Sequence, residues 1–198
     1  MNDTGQREVN MLRSGLQRRH TDAGRLLPSR EALLDAMPKC GIVAEVGVAG
    51  GDFAAEILSR CGVRRLHLID AWSGERYALD FDLVRTRFAG ELTTGLVEIN
   101  RGLSETVLAR FADSYFDWVY IDSDHGYATT LSELSICRHK VRPGGRIAGH
   151  DFCLGNITKP LRYGVIQAVN DFCIEHNWGY EYLTIESHGH FSFCIHAL

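Results

Sequence analysis

The sequence predicts an α/β protein built on a doubly wound, mostly parallel sheet of seven strands, with helices on both faces and a C-terminal antiparallel hairpin. Three observations predict this class. From residue 42 onward, apolar strand-like runs alternate with stretches of helical length, as in repeated βαβ units. A glycine-rich turn follows the first run. The last two runs are joined by residues 187–189 alone, with no helix between them.

Length and composition indicate one globular domain. The chain has 198 residues, of which 45% are hydrophobic and 23% are charged. Residues 1–27 are polar and irregular, and we predict an N-terminal arm or lid there. An arginine cluster in and just after this segment, which includes Arg25 and Arg30, is interpreted as a solvated helix face. Residues 28–198 are predicted to form the single domain.

The elements follow from local signals. A first helix is predicted from Ser29, a suitable N-cap, to Met37, and Pro38 ends it. Stretches of helical length between the apolar runs predict further helices at 52–60, 76–89, 103–112, 127–140 and 162–177. Apolar runs predict strands at 42–47, 65–70, 95–100, 116–122, 145–149, 180–186 and 190–196.

The turn after the first of these strands runs from Gly47 to Gly51 and leads into a helix. Glycines let the backbone approach a ligand closely, and the start of a helix supplies free N–H groups. The next strand ends in Asp70, where a carboxylate can accept hydrogen bonds from ribose hydroxyls. The stretch therefore predicts a βαβ unit that binds a ribose-bearing ligand.

The same turn does not match the common phosphate-binding turns. A dinucleotide fingerprint would need glycine at Ala49 and Asp52, and a Walker loop would need a Gly-Lys pair, which the chain lacks. The Asp52 carboxylate would also repel a pyrophosphate at the helix N-terminus. S-adenosylmethionine fits better, because its ribose carries a sulfonium and an amino-acid tail instead of phosphate.

Six segments stand in a fixed order along the chain: EVGVAGGDF at 45–53, IDAW at 69–72, GLS at 102–104, FDWVYIDSDHGY at 116–127, PGGRIAGHDF at 143–152 and GVIQAVNDF at 164–172. Together they resemble class I S-adenosylmethionine-dependent methyltransferases, and in particular the small stand-alone enzymes related to catechol and macrocin O-methyltransferases. The resemblance covers roughly residues 40–198. It implies a Rossmann-like methyltransferase fold whose final strand is inserted antiparallel.

The resemblance also implies a cofactor site at the carboxyl ends of the strands. The methionine part of the cofactor would lie against Glu45 and the glycine turn, and the ribose against Asp70. The adenine would lie near Trp72 and Ser104. Core packing is an equal alternative for Trp72, and Glu45 could instead pair with an arginine or cap a helix. The residues assigned to the cofactor are Glu45, Gly47, Val48, Gly51, Asp70, Ala71, Trp72, Ser104 and Asp122.

Asp122 ends an otherwise apolar strand, where a carboxylate is costly unless a ligand, metal or donor compensates it. In the catechol-type relatives an acid at this place and an acid–amide pair after the next strand bind a divalent metal. The corresponding pair here is His150-Asp151. The resemblance therefore points to Asp122, His150 and Asp151 as ligands of Mg²⁺ or Mn²⁺. Metal-free catalysis is the alternative, because His150 replaces the usual acid.

Without a metal, a histidine would be the general base. An acceptor hydroxyl must lose its proton during methyl transfer, and an imidazole suits that step near neutral pH. His150 is the first choice because it follows a strand end directly, and His125 and Asp122 are the other candidates. A surface or capping role is the alternative for each histidine.

Composition also bears on partners and location. The net charge of −4 argues against nucleic acid, and no apolar run is long enough to predict a membrane span or a signal peptide. The six cysteines form no Cys-x-x-Cys pair, so reduced thiols and a cytoplasmic location are expected. The long connections 72–91 and 152–163 suit a small, partly apolar acceptor. Relatives are often homodimers, and nothing in the sequence tests this.

The predicted function is methyl transfer from S-adenosylmethionine to a hydroxyl of a small molecule. Methylation of a small-molecule nitrogen is the nearest alternative. Two other classes stay open, a non-catalytic cofactor-binding domain and an NAD-dependent oxidoreductase, although the missing glycine pattern disfavours the oxidoreductase.

Overall fold

The structure is a computed structural model that describes residues 15–74, 77, 79–156 and 161–198. Residues 1–14 of the predicted arm, part of the predicted helix 76–89 and part of the long connection 152–163 lie outside the described residues. The described strands are β1 (Arg25–Leu27), β2 (Ile42–Val46), β3 (Arg65–Asp70), β4 (Val97–Arg101), β5 (Phe116–Ile121), β6 (Val141–Gly149), β7 (Gly155–Asn156), β8 (Leu161–Arg162), β9 (Trp178–Thr184) and β10 (Phe193–Ala197).

The described helices lie mainly between these strands. After a short 3₁₀ turn at Arg18–His20 they are α1 (Arg30–Ala36), α2 (Asp52–Cys61), α3 (Asp80–Arg87), α4 (Ala89–Thr94), α5 (Ser104–Leu108), α6 (Tyr127–Lys140) and α7 (Val165–His176). Ser29 caps α1 as predicted, because its Oγ accepts a hydrogen bond from the Ala32 N–H at 3.3 Å. None of the described helices is long and apolar enough to cross a membrane.

The main sheet is doubly wound and mostly parallel, as the sequence predicts. Among the described residues eight strands form it, in the order β1-β9-β10-β6-β5-β2-β3-β4. β2 pairs in parallel with β3 and β5, β3 with β4, and β5 with β6. β10 lies between β6 and β9 and is antiparallel to both, which confirms the C-terminal hairpin.

Several elements differ from the predicted ones. Strand β1 lies inside the segment predicted as an arm and pairs with β9. It raises the number of strands in the sheet from the predicted seven to eight. Three residues are too few to show a period, and this strand depends on its partner in the sheet. The predicted helix 76–89 gives way to α3 and α4, which Phe88 separates with a non-helical backbone. Strand β10 begins only at Phe193, so His190 lies in a longer hairpin loop.

Successive residues of β2 point to opposite faces of the sheet and enter different parts of the core. Val43 packs with α1 and α2 residues such as Leu33 and Ile57. Ala44 packs on the other face with residues of α6 and α7, among them Phe172. Glu45 is on the Val43 face, toward α1 and α2. The carboxyl ends of β2, β3 and β5 therefore meet beside α1 and α2, and the polar residues predicted for the site lie there.

Candidate active site

The glycine-rich turn after β2 lies directly against the end of β5. Gly47 has φ +88°, and a Cβ on it would lie 2.0 Å from the carbonyl oxygen of Asp122. Gly51 has φ +79° at the N-cap of α2, and a Cβ there would lie 2.7 Å from the Phe88 ring. Both positions therefore require glycine, for backbone conformation and for space.

Asp70, the last residue of β3, holds this turn in place. Its Oδ2 accepts hydrogen bonds from the backbone N–H groups of Val48 at 2.8 Å and Ala49 at 3.0 Å. Its Oδ1 accepts a bond from the Trp72 N–H at 2.7 Å. Because a carboxylate offers about four acceptor positions, Asp70 can still accept a ligand hydroxyl.

The Trp72 ring packs beneath the turn. The side chain is 1% exposed, and its Nε1–H donates to the carbonyl oxygen of Ala49 at 3.0 Å. The ring centroid lies 5.3 Å from that of Phe81. Of the two sequence interpretations, the structure favours core packing, because the ring is buried and does not line the site's cavity.

A cavity of about 670 Å³ opens where β2, β3 and β5 end, within the size range of small-molecule sites. Gly51 and Trp72 are absent from its lining; Gly51 permits the turn and Trp72 supports it from below. The other seven residues assigned to the cofactor line this one cavity: Glu45, Gly47, Val48, Asp70, Ala71, Ser104 and Asp122.

Glu45 lines the cavity with a buried carboxyl group. Its side chain is 1% exposed, and Oε2 has no hydrogen-bond partner among the described residues. Burial, reinforced by the negative charge of Asp122, raises the pKa of Glu45 well above its usual 4.5. A buried acceptor without a donor is costly, so Glu45 is a candidate partner for a donor or cation on a ligand.

Arg30 is a cavity residue that the sequence analysis missed. It is the first residue of α1, and its guanidinium lies 4.8 Å from the centre of the Phe53 ring. Among the described lining residues it is the only lysine or arginine. Its charge partly offsets the burial that raises the pKa values of Glu45 and Asp122. Packing of α1 against α2 brings it into the site, and no spacing in the sequence reveals this, so the solvated-face interpretation was wrong for Arg30.

A buried carboxylate positions part of the wall. Glu133 of α6 is 0% exposed, and its two oxygens accept hydrogen bonds from the Ser123 hydroxyl at 2.6 and 2.8 Å. Burial raises the pKa of Glu133, and hydrogen bonds from Ser104 and Ser123 oppose that rise. Glu133 therefore holds two lining serines at a fixed distance from α6.

Acid and imidazole side chains converge where β5 and β6 end. His125 Nε2 lies 3.1 Å from Asp151 Oδ2. His150 Nδ1 lies 3.7 Å from Asp122 Oδ2 and 3.6 Å from Asp151 Oδ1. His125 and Asp122 line the cavity, whereas His150 is set back, with its Nε2 buried and unpartnered among the described residues. Of the two predicted histidine bases, His125 is the one that faces the cavity.

Burial controls the charges in this cluster. Burial, followed by the charge of Asp151, raises the pKa of Asp122 to about 7. Burial lowers the pKa of His150 to about 4, although Asp151 opposes the shift. His150 is therefore uncharged at neutral pH.

The cluster contains a donor set that fits a divalent cation. One donor atom from each of Asp122, His125 and Asp151 lies within 4.8 Å of the other two. The sequence predicted His150 in the place of His125. His150 Nδ1 also lies within 3.7 Å of an oxygen of each acid, but His125 is the imidazole in the set whose three donor atoms lie close to one another. Carboxylate oxygens with one imidazole suit Mn²⁺ and, less well, Mg²⁺.

His190 is the second residue that the sequence analysis missed. Its Nδ1 contacts Asp151 Oδ1, and it lies 3.7 Å from Cys153 Sγ. The histidine falls in the loop between β9 and β10, where a strand was predicted, and the motifs give no sign that this loop reaches the cluster. All six cysteines, including Cys153, are free thiols.

The fold and the cavity together define a class of protein. Three features together are typical of a class I methyltransferase. The sheet is mostly parallel with an antiparallel last strand, the turn after β2 lacks the phosphate-binding pattern, and the next strand ends in an acid. The family model described as a methyltransferase domain matches residues 44–152. The chain belongs to this family, and its recognition as an S-adenosylmethionine-dependent methyltransferase is confirmed.

Solved structures show the same fold at low sequence identity. The pyocyanin biosynthetic protein PhzM has a TM-score of 0.60 and 14% identity, over 81% of this chain and 51% of that one. The tRNA methyltransferase TrmK of B. subtilis has a TM-score of 0.62 and 10% identity, over 87% of this chain and 67% of that one. A SAM-dependent methyltransferase of Aquifex aeolicus has a TM-score of 0.60 and 12% identity, over 81% of this chain and 84% of that one. The chain thus spans about half the length of PhzM. No curated protein matches the chain.

Proposed function

We propose that this methyltransferase methylates a hydroxyl group of a small molecule. The observation that carries the proposal is the His125–Asp151 pair at the edge of the cavity, with 3.1 Å between His125 Nε2 and Asp151 Oδ2. A hydroxyl must be deprotonated as it attacks, whereas a neutral amine attacks through its free electron pair. A built base therefore favours oxygen over nitrogen as the acceptor atom.

Three residues are suited to orient the cofactor, whose sulfonium supplies the electrophilic methyl group. Asp70 can accept hydrogen bonds from the ribose hydroxyls with its free acceptor positions. The unpartnered oxygen of Glu45 suits the ammonium of the amino-acid tail. Arg30 suits the carboxylate of the same tail, because it is the one guanidinium of the described lining.

His125 is proposed to take the acceptor proton. Asp151, 7% exposed, orients the ring through Nε2 and stabilises the imidazolium that forms. The Nδ1 side of the ring is then the side available to the acceptor. Positioning of the hydroxyl behind the methyl group accounts for the larger share of catalysis, up to roughly 7–11 kcal/mol when fully realised.

A hard divalent cation is the alternative way to activate the hydroxyl. Asp122, His125 and Asp151 would hold it, and it would lower the pKa of an acceptor hydroxyl bound to it. In that case His125 is a ligand and not a base.

The charge of the cavity supports a small molecule over a nucleic acid. Arg30 is opposed by six acids among the described lining residues: Glu45, Asp52, Asp70, Glu105, Asp122 and Asp124. Burial raises the pKa of Glu45 and Asp122 and so reduces their share of the negative charge, which leaves four other acids against one guanidinium. Such a wall attracts a sulfonium and repels a phosphate backbone, which requires a basic surface. We therefore propose a small-molecule acceptor, although TrmK of the same fold is a tRNA methyltransferase.

A matched pair of variants tests the role of His125. His125→Asn is expected to lower kcat about 10²–10⁴-fold while S-adenosylhomocysteine affinity changes less than threefold, because the base acts only in the transition state. His139→Asn, an exposed histidine on α6, is the control and should change neither value. The substrate panel would contain phenols, sugars, amines and tRNA. Methylation of tRNA or amines alone would contradict the proposal.

Chelation separates the two mechanisms. Turnover that survives EDTA assigns His125 as the base. Turnover that EDTA abolishes and Mn²⁺ or Mg²⁺ restores assigns it as a ligand.

A further inference from the structure

Three different donor groups meet on the side of Asp151 away from the cavity. They are the carboxylate of Asp151, the thiol of Cys153 and the imidazole of His190, and their donor atoms lie within 4.8 Å of one another. Cys153 Sγ is 3.7 Å from His190 Nδ1, and His190 Nδ1 also contacts Asp151 Oδ1. Neither Cys153 nor His190 lines the large cavity.

Two segments of the chain supply this group. Asp151 and Cys153 belong to the turn after β6, where Asp151 adopts φ +53°. His190 belongs to the hairpin loop between β9 and β10. The Phe152 N–H donates to the Phe191 carbonyl oxygen at 2.9 Å and ties the two segments together. The three donors are therefore held by backbone pairing on both sides.

The two oxygens of Asp151 separate this group from the cavity. Oδ2 lies 3.1 Å from His125 Nε2, whereas Oδ1 contacts His190 Nδ1 and lies 3.6 Å from His150 Nδ1. A cation held by Cys153 and His190 would take Oδ1 and leave Oδ2 beside His125. The two groups share Asp151, and His125 and His190 lie beside different oxygens of it.

The chemistry of these donors suits a zinc ion, and so does the separation of the sulfur and nitrogen atoms, whereas the donor atoms of Asp151 and His190, which are in direct contact, would move apart to bind it. Tetrahedral bonds of about 2.3 Å to sulfur and about 2.0–2.1 Å to nitrogen place the two ligand atoms roughly 3.6 Å apart. The observed separation of Cys153 Sγ and His190 Nδ1 is 3.7 Å. We propose that Asp151, Cys153 and His190 form a Zn²⁺ site that fastens the β9–β10 loop to the turn after β6.

Binding converts the Cys153 thiol to a thiolate and releases its proton to solvent. Neutral His190 donates through Nδ1, and Asp151 through Oδ1. A water molecule is expected as the fourth ligand, because three donor atoms lie within 4.8 Å of one another here and His150 Nδ1, 3.6 Å from Asp151 Oδ1, is not among them. The bound ion would fix the position of Asp151, and this role requires no part in methyl transfer.

Titration of the metal-stripped 198-residue chain with Co²⁺ tests the site. Co²⁺ replaces Zn²⁺ in tetrahedral sites, and a Co²⁺–thiolate bond gives a charge-transfer band in the near ultraviolet. We expect this band at one equivalent, and we expect Zn²⁺ to abolish it. Cys153→Ser should remove the band, and His190→Gln should weaken Co²⁺ binding at least tenfold.

Two controls keep the outcome specific. The band should persist in Cys40→Ser, because Cys40 is an exposed cysteine distant in sequence from Cys153. It should also persist in Asp122→Asn, because Asp122 belongs to the group with His125 and not to the group with Cys153 and His190. In the unsubstituted chain Zn²⁺ should protect Cys153, but not Cys40, from alkylation, a result that does not depend on whether a variant folds. A missing band, a band that survives Cys153→Ser, or equal alkylation with and without Zn²⁺ overturns the proposal. S-adenosylhomocysteine binding by the same chain reports on the methyltransferase site separately.

Discussion

Glu45 shows how one buried carboxyl group can connect stability and ligand binding. It lies beneath the cavity, 1% exposed, with an oxygen that no described residue satisfies. A non-polar residue would be cheaper there in the free chain. We propose that a ligand cation recovers this cost and that Glu45 serves recognition more than folding.

The substitution Glu45→Gln tests this at the residue scale. The pKa of Glu45 is raised above 4.5, so the folded chain keeps a proton that the unfolded chain has lost. Stability therefore falls as pH rises from about 4.5 through the raised pKa. Glu45→Gln is expected to flatten this decline in Tm between pH 5 and pH 8, and to weaken S-adenosylhomocysteine binding about tenfold.

Thermal unfolding across pH and calorimetry would check both effects. Asp122 also has a raised pKa, so part of the decline should stay in the variant. Glu175→Gln, at an exposed position on α7, is the control and should leave both the pH profile and the affinity unchanged. A variant as pH-dependent as the original chain would remove Glu45 from the explanation.

At the scale of elements, the turn between β2 and α2 depends on its glycines. Gly47→Ala would place a methyl group 2.0 Å from the Asp122 carbonyl oxygen and force alanine into φ +88°. The left-handed backbone alone costs roughly 1–2 kcal/mol, and the collision adds to this. We expect a lower free energy of unfolding and a loss of cofactor affinity, because the turn and the end of β5 must separate.

Gly90→Ala is the matched control for this substitution. Gly90 lies in α4, and a Cβ there would meet no atom within 4 Å. Replacing a helical glycine by alanine stabilises a helix by up to about 1 kcal/mol, so the two substitutions should have opposite signs in urea denaturation. Equal effects would show that the turn is not under steric control.

The elements also show what the sequence can and cannot predict. Long apolar runs and Ser29 predict the strands and the first cap, because both signals are local. The helix predicted over 76–89 is present as α3 from Asp80 to Arg87, but α4 was missed, because nothing in the composition shows the non-helical backbone at Phe88 that separates the two. Strand β1 could not be predicted, since three residues become a strand only by pairing with β9.

The site divides in the same way. Asp70 and Asp122 end apolar strands, so their place at the rim follows from the pattern. Arg30 reaches the cavity only because α1 packs against α2, and His190 reaches Asp151 only because the last loop folds over β6. Such tertiary contacts leave no mark in residue spacing.

At the scale of the whole molecule, the last strand in the chain is an inner strand of the sheet. β10 lies between β6 and β9, so the sheet is not complete until residues 193–197 have taken their place in it. Contacts between residues far apart in sequence form late and slow the folding of such topologies.

Removal of residues 193–198 should therefore abolish folding, whereas the loss of an edge strand would only lower stability. Circular dichroism and thermal melts are expected to show no cooperative transition for this truncation, since β6 and β9 would lose their shared partner. Removal of Leu198 alone, which is 48% exposed, should lower Tm by only a few degrees. A cooperative melt of the longer truncation would mean that the sheet closes without β10.

The indole of Trp72 has a consequence for observing this protein. Its N–H donates a hydrogen bond to the carbonyl oxygen of Ala49, in the glycine-rich turn that we propose as part of the cofactor site. Trp118 donates to the Pro38 carbonyl, and Trp178 packs against Phe172 on the opposite face of the sheet. A ligand that shifts the turn by a fraction of an ångström thus alters the surroundings of one tryptophan out of three. Binding to the cavity is then measurable from the intrinsic tryptophan fluorescence, without a label.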